Sequence, residues 1–329
     1  MPIPKNFITI VMSLLSVVSC GDVERDNPFD AKSDHYYGQC SLRGKVVSYY
    51  APHTPVTNAR VELKPAGRMT YTDEQGVFAI KNIFPDTYTV IVSKSGYKTD
   101  STTVPMLAGE EKIIEDFKLD ALPVFSSIKV SSTHINSWTP PEDYYKVNFE
   151  AQVRDPDSFA DIDSVQVWIS ALDLTKTLMY NFQTDAFTAM LSEQEIPGGK
   201  LEKLIGHSLV FVACDKAGGI SVSTPTQLAR VIYQTPKLKA PSGWAVLYIP
   251  KPEFIWEPFK APYSYTYALE VYRYDAATPT WSRAGISPAD TLAIPEAPLP
   301  VGEYSCMLWV VDEFGNASRA RPSKFFIIL

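Results

Sequence analysis

Four aspartates crowd the stretch DPDSFADIDS: Asp155, Asp157, Asp161 and Asp163. Carboxylates this close are the raw material of a calcium site, which needs several oxygens around one point. The spacing fails the helix–loop–helix calcium template, because Phe159 falls on a ligand position and Ala160 on the turn glycine. The other reading is a solvated inter-strand loop whose aspartates bond their own backbone. The residue pattern favours that reading, so no metal and no cofactor is expected.

Aromatic residues offer a second chemistry. Exposed planar rings stack on sugar faces. Trp138 sits in HINSWTPPEDYY, where Thr139, Pro140 and Pro141 give loop chemistry and Tyr144 and Tyr145 follow. Trp138, Tyr144 and Tyr145 are therefore candidate ligand-binding residues. The competing reading is a loop ring set against a neighbouring domain. Trp256 and Trp309 lie in apolar strands and are expected in the core. Tyr263, Tyr265 and Tyr267 share a face with Leu269 and Val271, which again reads as core.

Catalytic signals are missing from the chain. His35, His53, His134 and His207 are far apart, and none has a His or Cys at a zinc-finger spacing. There is no G-x-S-x-G, no H-E-x-x-H and no phosphate-cradling glycine loop. The expected catalytic set is empty, and the chain reads as no enzyme. Cys40, Cys214 and Cys306 fall in three different candidate domains, so each reads as a small buried hydrophobe.

The elements that must hold these residues read as β-structure. The chain has 329 residues, enough for two or three domains, with 26 prolines and 18 tyrosines. Proline punctuation among aromatic and β-branched residues predicts an all-β chain. The formal charge is −7. A negative chain lacks the basic face that phosphate binding needs, which excludes nucleic acid as the expected partner.

The amino terminus addresses the chain to a membrane. Its apolar run, Phe7 to Val18, is too short to span a bilayer, which takes roughly 20 residues. With Lys5 as a positive flank it has the make-up of a signal peptide. Val17, Val18, Ser19 and Cys20 resemble the lipobox of bacterial lipoproteins. The resemblance implies cleavage before Cys20 and acylation of its sulfur and its new amine. Several acyl chains are what make such an anchor stable, since one alone holds marginally. Gly21 in place of aspartate implies transfer to the outer membrane by analogy with enterobacterial sorting. Asp22, Glu24, Asp26, Asp30 and Asp34 then form an acidic segment with little to bury, read as a tether.

Three segments follow. In the first, Ala59, Val61 and Leu63 alternate with charged residues, and Tyr88, Val90 and Val92 point one way. Ile113, Phe117 and Leu119 are expected to share a face of one strand. The set Asn58, Ala59, Val61, Thr72, Asp73, Gly76, Phe78, Tyr88, Val90, Gly96 and Tyr97 resembles the carboxypeptidase regulatory-like domain, a transthyretin-like sandwich. These are accessory modules, and the family name implies no peptidase activity. Asp86 stands where that family commonly has glycine, and aspartate tolerates the positive φ expected there. The other two segments each end in D-x-x-G-x-x-S-x-x-x-P, on Asp215, Gly218, Ser221 and Pro225 and on Asp312, Gly315, Ser318 and Pro322. The shared hairpin predicts two sandwiches of similar build. The last also resembles a fibronectin type III module through Pro241, Gly243, Phe254, Trp256, Leu299, Gly302 and Tyr304. Tyr304 occupies the place of a tyrosine corner.

The expectation is an all-β chain of three tandem β-sandwich domains. Its parts are a signal peptide over 1–19, lipidated Cys20 and tether over 20–36, a carboxypeptidase regulatory-like sandwich over 37–121, an Ig-like sandwich over 122–234 and a fibronectin type III-like sandwich over 235–329. The expected function is a non-catalytic envelope lipoprotein, anchored in the membrane and binding or scaffolding a protein or glycan. The alternative is a carbohydrate-binding protein accessory to polysaccharide uptake or degradation.

Overall fold

The computed structural model describes residues 38–328. The signal peptide, Cys20 and the acidic tether lie outside the described residues. The described chain is all-β, and its helical segments are short 3₁₀ turns such as Phe159–Asp161 and Leu201–Leu204. None is long and apolar enough to cross a membrane. The chain divides into two compact units, which meet at Asp120 and Ala121 in sequence.

In the first unit two four-stranded sheets enclose one core. One sheet is antiparallel, in the order Arg68–Tyr71, Arg60–Lys64, Asp86–Ser93, Asp100–Met106. Strand Cys40–Ser48 centres the other, antiparallel to Val77–Ile83 and parallel to Glu111–Ile113 and Phe117–Leu119. Alternation places Val61, Leu63, Val90 and Val92 inward, fully buried. Each such side chain contributes about 1.5–3 kcal/mol by leaving water. The Asp73 turn is local chemistry. Asp73 Oδ1 accepts the N–H groups of Gln75 and Val77. Gly76 has φ +74°, and a Cβ there would meet the Val46 carbonyl at 2.4 Å, so only glycine fits.

Two expectations for this unit need correction. The single strand through Ile113 and Leu119 is broken. Arg43 faces Ile113 and Val46 faces Phe117, so three steps on one strand meet four on the other. The extra residue reverses the pleat. Ile113 is left exposed like Arg43, and Phe117 turns inward like Val46. Asp86 does not adopt positive φ; four residues earlier, Asn82 does, with φ 58°.

The second unit holds two cores joined by one sheet. Val147, Phe149, Val165, Val167 and Phe211 centre the first core, and Phe254, Trp256, Tyr267, Leu308 and Phe325 the second. The final hairpin strand of the chain's third sandwich, Ala317–Arg319, lies antiparallel to Gly302–Asp312 and parallel to Val124–Asn136 of the second. Backbone pairing thus runs from one sandwich into the next. Pro322 follows this strand, so the strand can be internal and still end at a proline. Trp309 departs from the expected core. Cys306, Leu308 and Val310 point inward and are buried, so Trp309 points outward. There Arg319 lies 5.6 Å over its ring and Glu270 accepts its N–H at 3.0 Å.

Candidate functional site

Strands Val124–Asn136 and Asp143–Arg154 pair with Asn136 opposite Asp143. The short loop between them carries Trp138, closed by Ser137 N–H on the Glu142 carbonyl at 2.7 Å. The indole is 65% exposed. Its Nε1 donates to the Pro322 carbonyl at 2.8 Å, and the Arg321 guanidinium sits 4.7 Å from the ring centre. Arg321 is itself tied to Asn136 Oδ1 and Glu142 Oε2. The loop ring is therefore both anchored to the next sandwich and open to solvent, which combines the two readings of Trp138.

A second indole completes the surface. Trp138, Gly243, Trp244, Ser323 and Lys324 line a cleft of about 430 Å³. That is within the usual range for small-ligand sites. Trp244 is exposed and has φ +64°, a left-handed conformation rare for a bulky residue. Its backbone N–H is fixed on the Lys324 carbonyl at 3.0 Å, and strand Ala245–Leu247 then runs parallel to Ser323–Ile327. The ring stacks on Phe326 at 5.9 Å, and Lys324 Nζ lies 4.4 Å from its centre. The lining supplies flat apolar faces, one ammonium and one hydroxyl that already donates to the Pro241 carbonyl. Among the described residues the lining holds no carboxylate, histidine or thiol. Sequence reasoning passed over Trp244. Its signal was the loop Pro241, Ser242, Gly243, turn chemistry leading straight into a tryptophan.

The two tyrosines do not join this cleft. They are neighbours on one strand and so face opposite ways. Tyr145 stacks on His134 with ring centres 4.2 Å apart and leans on Tyr233 at 5.7 Å. Burial raises the pKa of both phenols, with the Glu202 carboxylate adding to the effect on Tyr233. His134, Asn136, Asp143, Tyr145 and Lys260 border a separate polar cavity. His134 is buried, with Nδ1 on Ser318 Oγ at 3.1 Å and Nε2 on Asp143 Oδ1 at 2.8 Å.

The acidic loop is only half solvated. Asp163 is exposed and Asp157 half-buried, but Asp155 and Asp161 are buried. Backbone capture occurs as expected of a turn. Asp155 Oδ1 accepts Asp157 N–H at 2.9 Å, and Asp157 Oδ2 accepts Ala121 N–H at 2.9 Å. Burial, and then the carboxylates of Asp161, Asp157 and Asp215, hold the Asp155 carboxyl above its ordinary range.

Cys40 and Cys306 are buried, and burial pushes the Cys306 thiol up to about 12. Cys214 is half-buried, less enclosed than expected.

Residues 41–120 match the family model of the carboxypeptidase regulatory-like domain, in agreement with the resemblance carried by that segment. No curated protein matches the chain. Among solved structures, the chain is similar to the fibronectin(III)-like modules of Clostridium thermocellum CbhA, with 15% identity, TM-score 0.29, and coverage of 63% of this chain and 94% of that one. It is similar to the chicken CNTN1 FN1–FN3 domains, with 8% identity, TM-score 0.32, and coverage of 84% and 93%. A DUF3823 family protein from Bacteroides ovatus is 12% identical, TM-score 0.27, over 58% of this chain and 98% of that one.

Proposed function

We propose that this protein is a non-catalytic cell-envelope lipoprotein that binds a glycan in the Trp138–Trp244 cleft. The observation that carries this reading is the pair of exposed indoles on one cleft. Despite their contacts, Trp138 is 65% and Trp244 55% exposed, so more than half of each indole stays in water. Trp244 is also held in a disfavoured backbone conformation, which costs of order 1–3 kcal/mol and marks functional sites more often than scaffolds. Two flat faces with a nearby ammonium suit pyranose rings with hydroxyl acceptors. Display follows from the proposed anchor: acylated Cys20 holds the sandwiches at the bacterial outer membrane, and the acidic tether spaces them from it.

Affinity electrophoresis through gels containing soluble polysaccharides tests the binding. The wild-type chain is expected to be retarded in at least one neutral polysaccharide. Trp138→Ala and Trp244→Ala are each expected to weaken that retardation about tenfold, as loss of about 1.4 kcal/mol of stacking requires. Unchanged retardation in both variants would show that the cleft is not the site, and no retardation of the wild type in any gel would remove the glycan reading. Mass spectrometry of native material tests the anchor, which requires a diacylglyceryl group on the Cys20 sulfur.

A further inference from the structure

The two matching hairpins of the second unit share their turn residues but differ at the position after the glycine, Gly219 in one and Asn316 in the other. In the last hairpin Asp312 is buried, and its Oδ1 accepts the backbone N–H groups of Phe314 and Asn316 at 2.9 and 2.8 Å. Its Oδ2 accepts Asn316 Nδ2 at 2.9 Å, and Arg230 Nε lies 3.4 Å away. Both oxygens are satisfied and the charge is balanced. The earlier hairpin starts the same way. Asp215 is only 4% exposed, and its Oδ1 accepts the N–H of Gly219 at 2.6 Å. But Gly219 stands where the later copy has Asn316, so no amide reaches the second oxygen.

Asp215 Oδ2 is buried and accepts no hydrogen bond from the protein. Asp155, 9% exposed, repeats the arrangement: Oδ1 holds the Asp157 N–H while Oδ2 is buried without a donor. One carboxylate oxygen from each of Asp155, Asp161 and Asp215 lies within 4.8 Å of the other two. Among the described residues, no Lys, Arg or His forms an ion pair with Asp155 or Asp215. Lys216, next to Asp215 in sequence, has its Nζ on the Ala160 carbonyl. Burying the carboxylates of Asp155 and Asp215 without such a partner costs several kcal/mol per ion. Oxygens about 2.4 Å from a shared centre lie at most about 4.8 Å apart, so these three are close enough to share one cation.

We propose that Asp155, Asp161 and Asp215 bind one calcium ion. The donors are all hard oxygens, which excludes the softer metals. Calcium accepts carboxylate oxygens in a flexible geometry, whereas magnesium demands a near-ideal octahedron and usually keeps several waters, so calcium is the better fit for a buried carboxylate trio. The ion clamps the loop after strand Asp143–Arg154 to the hairpin after strand Val210–Asp215. That same loop holds Ala121, the first residue of the unit, through Asp157. Strand Asp143–Arg154 has 12 residues, so the ion lies about 36 Å along it from the Trp138 loop and does not depend on the glycan reading. The metal set differs from the one the spacing suggests. It drops Asp157 and Asp163 and adds Asp215, 52 positions beyond Asp163 in sequence (215 minus 163).

Calorimetric titration of calcium chloride into EDTA-treated, desalted protein tests this. One calcium ion per chain is expected, with a rise in melting temperature of about 5 °C at saturation. Asp215→Asn is expected to abolish both responses and to raise the melting temperature of the calcium-free form, because it relieves a buried repulsion. Asp163→Asn is expected to leave both responses intact. The wild-type titration decides the matter even if Asp215→Asn fails to fold. No heat and no thermal shift in the wild type overturns the proposal, as does an equal response to magnesium chloride, or a calcium response that survives Asp215→Asn.

Discussion

Asn316 Oδ1 accepts the backbone N–H of Ser132 at 2.8 Å, across 184 positions of sequence. The amide is fully buried, and its Nδ2 donates to Asp312 Oδ2. One side chain thus finishes a hairpin in the third sandwich and seals it against a strand of the second. Asn316→Ala strands a buried donor on Ser132 and leaves Asp312 Oδ2 with Arg230 alone. The orphan costs about 1–3 kcal/mol, and the weakened Asp312 contact adds to it. Chemical denaturation is expected to show a loss of about 2–5 kcal/mol in this unit. A loss under about 0.5 kcal/mol, the level of an ordinary surface substitution, would mean that the amide is not a keystone.

Tyrosine corners occur in two places. Tyr304 is buried and donates to the Pro300 carbonyl at 2.7 Å, and Tyr88 donates to the Phe84 carbonyl at 2.8 Å. Both bonds reach back four residues. Tyr304→Phe and Tyr88→Phe keep the ring and remove only the donor. Each is expected to cost about 1 kcal/mol in equilibrium unfolding. Tyrosine→Phe changes with no measurable cost would show that these hydroxyls are equally well served by water.

How much of this was legible follows from the range of each interaction. Val61 with Leu63 and Val90 with Val92 declare their face by alternation alone, because the pleat is set by adjacent residues. Tyr304 was legible because its partner is four residues away. Ile113 misled because the extra residue that reverses its face is defined only against the partner strand. Trp309 misled because an apolar run was read as core on both faces, while Arg319 and Glu270 accommodate the outward one. The spacing within the acidic loop carries no sign of Asp215, which comes beside Asp155 and Asp161 only through the pairing of Ile162–Ile169 with Val210–Asp215. Ser132 and Asn316 carry no sequence signal of their contact at all.

Acid is expected to loosen the seam between the two sandwiches. Asn136 Nδ2 donates to Asp143 Oδ1 at 2.7 Å and His134 Nε2 at 2.8 Å, and these bonds, with Arg321 nearby, hold the Asp143 carboxyl below its usual range. A depressed carboxylate contributes stability above its unfolded pKa of about 3.9 and loses it as pH falls through the folded value. Asp143→Asn should therefore be less stable than wild type at neutral pH. The gap should close as pH drops below about 4. Unfolding curves at a series of pH values measure it. A gap of equal size at pH values well above and well below that range would sever the link to this carboxylate.

Trp244 separates folding from binding in a single substitution. Its φ of +64° is comfortable for glycine and strained for tryptophan. Against that strain stand the stack on Phe326 and the Lys324 ammonium over the ring, both at the surface and each worth about 0.5–1.5 kcal/mol. Trp244→Gly removes the strain and the contacts together, so the melting temperature is expected to move by less than about 3 °C. Polysaccharide retardation should nevertheless fall as far as in Trp244→Ala, because the flat face is gone in both. A purely structural role predicts the reverse pattern, a large thermal loss with retardation kept in proportion to folded protein. Thermal melting and affinity electrophoresis on the same preparation tell the two apart.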